Sequence, residues 1–143
     1  MPNNIDNAIS RLQALALQCT SATIKAAPNY PIEDASVLPL AIAHLSTGEV
    51  NADNSNTARI KPTINVDFHF SRISLKNAYT QIDAIAQEFS ARLCGDPTLN
   101  GTVSTIIFPI SFSVSPTQWD KIITQMLTFT IPVKVLTNPQ AST

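Results

Sequence analysis

Two hydrophobic periodicities meet near Ser71, and their order leaves few folds open. Before it, Ile60, Ile64, Val66, Phe68 and Phe70 fall on one face of an alternating run, with Arg59, Lys61, Asn65, Asp67 and His69 on the other. Alternation with period two predicts a strand over 58–70, one face on a core and the other toward water or a partner. After it, Leu75, Ala78, Tyr79, Ile82, Ile85, Ala86, Phe89 and Leu93 recur at helical spacing, while Lys76, Thr80, Asp83, Gln87, Glu88 and Arg92 lie off that stripe. This predicts a helix over 74–93 with Ser74 as its N-cap. Gly95 is expected to close the helix in a left-handed cap, and Pro97 prevents its continuation. A helix with one apolar stripe must lay that stripe on a sheet.

The flanking segments supply the rest of the sheet. Ile5, Ile9, Leu12 and Ala16, with Leu15 beside them, predict an N-terminal helix over 4–18, with Asn3 or Asn4 as its cap. Residues 19–37 read as an irregular arm: Thr20 to Ala26 is a short strand or a linker, and Pro28 and Pro31 break any helix. Val37 to Leu45 is a short apolar strand, and Ser46 to Asn56, rich in turn formers, is the loop that returns the chain to the 58–70 strand. That loop is either a solvated hairpin tip or an arm that reaches a neighbouring subunit. Val103 to Val114 reads as a further strand with Ile106, Phe108, Ile110, Phe112 and Val114 on one face. Ser115 to Gln118 reads as a turn, and residues 122–136 as a last strand. Pro109 and Pro132 each remove a ladder donor, which predicts a sheet edge or a bulge at both, and the last strand near an edge. The tail, 137–143, is expected to fray. The expectation is one α+β domain over 1–143. It has an antiparallel sheet of four to five strands, one long helix packed on one face and a second, N-terminal helix.

Charge is scarce and unevenly placed. Charged residues make up 13% of the 143, against about 25% in a typical soluble domain. From Pro97 to Thr143 only Asp120, Lys121 and Lys134 are charged, and the run from Pro97 to Trp119 has none. A neutral, strand-rich segment with an open edge aggregates unless something covers it, and interface cores are poor in charge. The deficit therefore suggests a subunit that lives inside an assembly; the other explanation is solvation by Ser, Thr, Asn and Gln. Net charge is −1 and the basic residues form no cluster, which argues against sequence-independent nucleic-acid binding as a main task. No apolar run approaches the roughly 20 residues of a membrane span. The first residues have neither a basic region nor a long apolar core, so the chain is expected to fold in a cytoplasm.

No catalytic constellation stands out. Cys19 and Cys94 lack metal or redox spacing and read as unlinked small hydrophobes. Gly48, Gly95 and Gly101 are too far apart for a phosphate loop. Asp67 and His69, two apart on one strand, share a face; they read as an exposed polar surface, with a metal or proton-transfer role as the sharper alternative. Trp119 is either an interface anchor or a local lid on the core. No cofactor and no enzymatic activity are expected.

The order of elements, together with Ile64-Asn65-Val66-Asp67-Phe68-His69, the Tyr79–Leu93 helix and the exit Asp96-Pro97-Thr98-Leu99-Asn100-Gly101-Thr102-Val103, resembles the tail terminator (tail completion, minor tail protein U-like) family of tailed bacteriophages. The resemblance spans roughly residues 1–136 as a pattern of elements, and its motif-like part is the helix exit at 95–103. It implies a structural protein of the virion, assembled in the host cytoplasm. Such a protein forms a ring, usually a hexamer, that caps the tail tube and joins it to the neck or stopper proteins beneath the head. Genomic DNA would pass through the bore without sequence-specific binding, and no membrane is involved. Related head-completion and tail-tube subunits share pieces of the fold and are the alternatives, with a small ligand-binding or enzymatic domain using Asp67/His69 further behind. Glu49, Asp53, Arg59, Lys61 and Trp119 are the candidate subunit-interface residues, and Glu49, Asp53 and Asp67 the candidates for an acidic bore.

Overall fold

The computed structural model describes residues 4–19, 24, 38–52, 58–119 and 122–137. The fold is α+β, a five-strand antiparallel sheet with a long helix and an N-terminal helix on one face. In chain order the elements are α1 (Ile5–Gln18), β1 (Leu40–Ala52), β2 (Ala58–Ser71), α2 (Leu75–Cys94), β3 (Thr105–Ile106), β4 (Ser111–Trp119) and β5 (Ile122–Thr137). The sheet runs β1-β2-β5-β3, and β4 pairs β5 alongside β3. The predicted arm, apart from Cys19 and Ile24, and the tail after Thr137 lie outside the described residues.

Both helices start where their caps dictate. Asn4 Oδ1 accepts from the Asn7 N–H at 2.8 Å, and Ser74 Oγ from the Asn77 N–H at 3.4 Å. The core lies between the helices and one face of the sheet. Ile64, Val66, Phe68 and Phe70 of β2 and Leu127, Phe129, Ile131, Val133 and Val135 of β5 are buried against Ile82, Ile85, Phe89 and Leu93 of α2. Leu12, Leu15 and Ala16 of α1 extend this core over Ala41 and Ala43 of β1. At its centre Phe89 meets Phe68 and Phe129 edge-on, with ring centroids 5.1 and 4.9 Å apart. Leu75 and Tyr79, read from the stripe as core residues, are exposed: Ala78 alone among residues 75–80 enters the core, and Tyr79 Oη accepts from Gln125 Nε2 at 3.4 Å.

The structure corrects several sequence expectations. β1 does not stop at Leu45 but continues to Ala52, absorbing much of the predicted loop. A one-residue bulge between Leu45 and Thr47 lets the turn-forming segment stay paired with Arg59–Thr63 of β2. Gly48 suits this close pairing, since a Cβ there would lie 3.3 Å from Pro62 Cα. Gly95 is right-handed (φ −82°, ψ −4°); the left-handed residues are Leu99, Asn100 and Gly101 in the following turn. The single strand predicted over 103–114 is two, β3 and β4, separated by 107–110, and Ser115–Gln118 is the middle of β4 rather than a turn. β5 is not near an edge but central, flanked by β2 on one side and by β4 and β3 on the other. Pro132 is tolerated there because its backbone faces the gap between β3 and β4, where its carbonyl accepts from the Ile107 N–H at 2.8 Å.

Candidate functional surface

The interface candidates named from sequence do not form one site. Glu49 and Lys61 are cross-strand partners at the far end of the β1–β2 hairpin, and Arg59 sits opposite Asn51 one step further out. All three are exposed. Glu49 and Lys61 border a shallow depression of about 360 Å³ together with Thr63 and Pro132. Asp53 lies outside the described residues. Trp119 ends β4 opposite Ile122, whereas Arg59 lies opposite Leu136; its side chain is outside the described residues. Fourteen residues of β5 separate those two levels, roughly 45 Å at about 3.3 Å per residue.

Asp67 and His69 share the sheet face away from the helices, as alternation requires, but they are not an exposed pair. His69 is buried, and its Nδ1 lies 2.8 Å from Thr124 Oγ1. Asp67 instead accepts from His44 Nε2 at 2.9 Å, a diagonal contact between β1 and β2. This contact ties β1 to β2, and the other ring nitrogen, Nδ1, lies 3.4 Å from the Leu45 carbonyl oxygen. Among the described residues Asn65 Oδ1 and Thr128 Oγ1, on the same face, are buried without a hydrogen-bond partner. Among the described residues no three of His, Cys, Asp and Glu converge as metal ligands. Burial pushes the Cys19 thiol up to about 11, which makes it inert, while Cys94 is exposed at the end of α2.

Burial also pulls the His69 imidazole below its ordinary value of 6.5, partly opposed by the Asp67 carboxylate. The unfolded chain therefore takes up a proton below pH 6.5 that the folded chain excludes, so His69 adds a stability penalty as pH falls through that value. Thermal melts between pH 7.5 and 5 are expected to show a falling Tm, and His69→Gln a flatter profile over the same range. Parallel profiles for the two proteins would contradict this.

The feature that sequence reasoning misplaced is β4. Its stretch reads from sequence as charge-free, divided between the end of a strand over 103–114 and a turn at Ser115–Gln118. In the structure it is an edge strand, and Phe112 and Val114 on its helix-side face are exposed. Phe108, also exposed, and Phe112 flank an open apolar groove of about 380 Å³ that runs beside the end of α2 at Ser90, Leu93 and Cys94. Phe112 stacks obliquely on Phe129, ring centroids 5.4 Å apart, which joins this surface to the core. The signal for it was the absence of charge from Pro97 to Trp119. No protein-family model and no curated protein sequence matches this chain.

Proposed function

We propose that this chain is a structural subunit of a tailed-bacteriophage virion, a tail terminator whose ring caps the tail tube and joins it to the neck. The observation that carries the reading is the exposed, charge-free edge strand β4 with Phe112 and Val114 on one face. An edge of this kind has no Lys, Glu or inward charge to blunt it, only Pro116 near its far end, so its first half from Ser111 to Ser115 is stable in solution when other chains cover it. The element order that resembles the terminator family supplies the type of assembly. In this reading the subunit works by fit alone: it binds copies of itself, the tail-tube protein below and the stopper proteins above, and genomic DNA passes through the bore. It is assembled in the host cytoplasm and carries no chemistry of its own.

Head-completion or tail-tube subunits would use such an edge equally well, and position within the particle separates them from a terminator. An enzymatic domain built on Asp67 and His69 is the weaker alternative, because His69 is directed at Thr124 and Asp67 receives His44. Purified particles are expected to contain the protein at the head–tail junction by gold-labelled antibody and electron microscopy. Loss of the gene is expected to leave heads and unjoined tails, with tails of irregular length. A protein absent from particles, with normal particles made without it, would overturn the reading.

A further inference from the structure

We propose that copies of this chain join edge to edge, the outer rim of β1 in one subunit pairing as a strand with the outer rim of β4 in the next. The inference rests on the ring reading above and adds the junction that would build it. Hydrogen-bond directions define both rims. The Ile107 N–H donates to the Pro132 carbonyl and the Ser104 N–H to the Lys134 carbonyl, both at 2.8 Å, so even-numbered residues of β5 turn their backbone groups toward β3 and β4. The β4–β5 register is unbroken from Ser111–Thr130 to Trp119–Ile122. Ser111, Ser113, Ser115 and Thr117 therefore bond toward β5; Phe112, Val114 and Gln118 present both N–H and C=O outward, and Pro116 its carbonyl alone, which places the pairing segment of this rim at Phe112 and Val114. The same alternation carried through β2 leaves Gly48 and Val50 of β1 facing outward. Among the described residues β1 pairs only with β2, and β4 only with β5. Among the described residues the sheet thus has two open rims, each able to accept a strand and neither able to bond a helix in this way.

Side chains select a second copy as the occupant. Large apolar residues stand exposed on the helix-side face at both rims: Leu45 (49%) and Val50 (70%) on β1, Phe112 (54%) and Val114 (37%) on β4. Head-to-tail pairing puts both rows on one face of a continuous sheet, where each covers the other. The electrostatics agree: β4 is uncharged, and the single charge of the β1 rim, Glu49, already lies opposite Lys61 in its own hairpin. Two different rims make the contact heterologous, the kind that propagates from subunit to subunit and closes into a ring.

Proline at an outward position removes a rim donor and leaves the internal ladder intact. Val114→Pro blocks the β4 rim and Val50→Pro the β1 rim. Native mass spectrometry of each variant alone is expected to give the 15.4 kDa chain. Mixed, the two are expected to form a 1:1 heterodimer of twice that mass that grows no further, because one intact rim of each kind remains. Val114→Lys and Val50→Lys repeat the test with a charge in place of the proline, and circular dichroism verifies that each variant is folded. Dimers of Val50→Pro alone, with no heterodimer on mixing, would assign the contact to β4 on β4 and overturn the proposal. Rings that survive both changes would overturn this junction and leave the ring itself standing. A wild-type chain that stays monomeric with or without tail-tube protein would overturn the junction, while the virion reading would still be decided by particle content.

Discussion

Replacing Phe89 by alanine is expected to cost about 3–5 kcal/mol and to lower the Tm by roughly 10 °C. Phe89 is fully buried and is the one aromatic ring of α2 in the core, edge-on to Phe68 of β2 and Phe129 of β5. Its removal opens a cavity where the helix meets the two central strands, and the packed rings around it cannot collapse far to fill the space. Phe89→Asp is expected to be worse, because a carboxylate there is buried with no partner. The neighbouring Glu88 is the control. Its carboxylate lies 3.2 Å from Arg92 in a part-buried i,i+4 pair, so Glu88→Ala is expected to cost about 1–2 kcal/mol, well short of the Phe89 loss. Denaturant melts followed by circular dichroism separate these outcomes; equal losses at the two positions would mean that α2 turns another face to the sheet.

The second large effect is expected at Asp96, where one carboxylate holds three parts of the chain together. Oδ2 accepts from Arg11 Nε of α1 at 2.8 Å, and Oδ1 accepts from the Asn100 N–H at 2.8 Å. The Asn100 bond stabilises a turn in which Leu99, Asn100 and Gly101 all have positive φ, with Leu99 side chain fully buried. A leucine at φ 48° is strained, so the turn needs outside support to persist. Asp96→Ala removes both bonds and is expected to cost about 1.5–3 kcal/mol. Asp96→Asn keeps an acceptor for Asn100 while losing the charge that faces Arg11, so it is expected to recover part of the loss. Hydrogen exchange gives a second readout: the Asn100 amide should lose protection in the alanine variant and keep it in the asparagine variant. Full stability in Asp96→Ala would show that the turn holds without this carboxylate.

The turn matters for the proposed assembly because it sets where β3 and β4 begin. The Ile106 N–H donates to the Pro97 carbonyl at 2.7 Å, and the Asn4 N–H to the Thr102 carbonyl at 3.0 Å, so the start of α1, the end of α2 and the first strand after the turn share one anchoring point. From there the chain passes through 107–110 and delivers β4 to the sheet's free side. A loosened turn would therefore weaken assembly through the placement of β4 as well as through global stability, and Asp96→Ala is expected to reduce ring yield along with Tm.

What the amino-acid order determined by itself was the set of elements whose signals are local. Ser74 and one of Asn3 and Asn4 marked two helix starts, the stripe from Leu75 to Leu93 marked the face of α2 except at Leu75 and Tyr79, and strict alternation marked β2 and β5. These features depend on neighbours a few residues away, which a periodic pattern records directly. Only tertiary structure decided which strands lie side by side. Pro132 reads as an edge residue until the gap between β3 and β4 is seen opposite it, and Ser46–Ala52 reads as a loop until a bulge and Arg59–Thr63 give it a ladder. The same is true of the candidate surface: the charge-free stretch was visible, but its place at an open rim was not. Hydrogen bonding between strands joins residues far apart in the chain, and side-chain alternation is identical for a central strand and an edge strand with one covered face, so the pattern cannot carry that information.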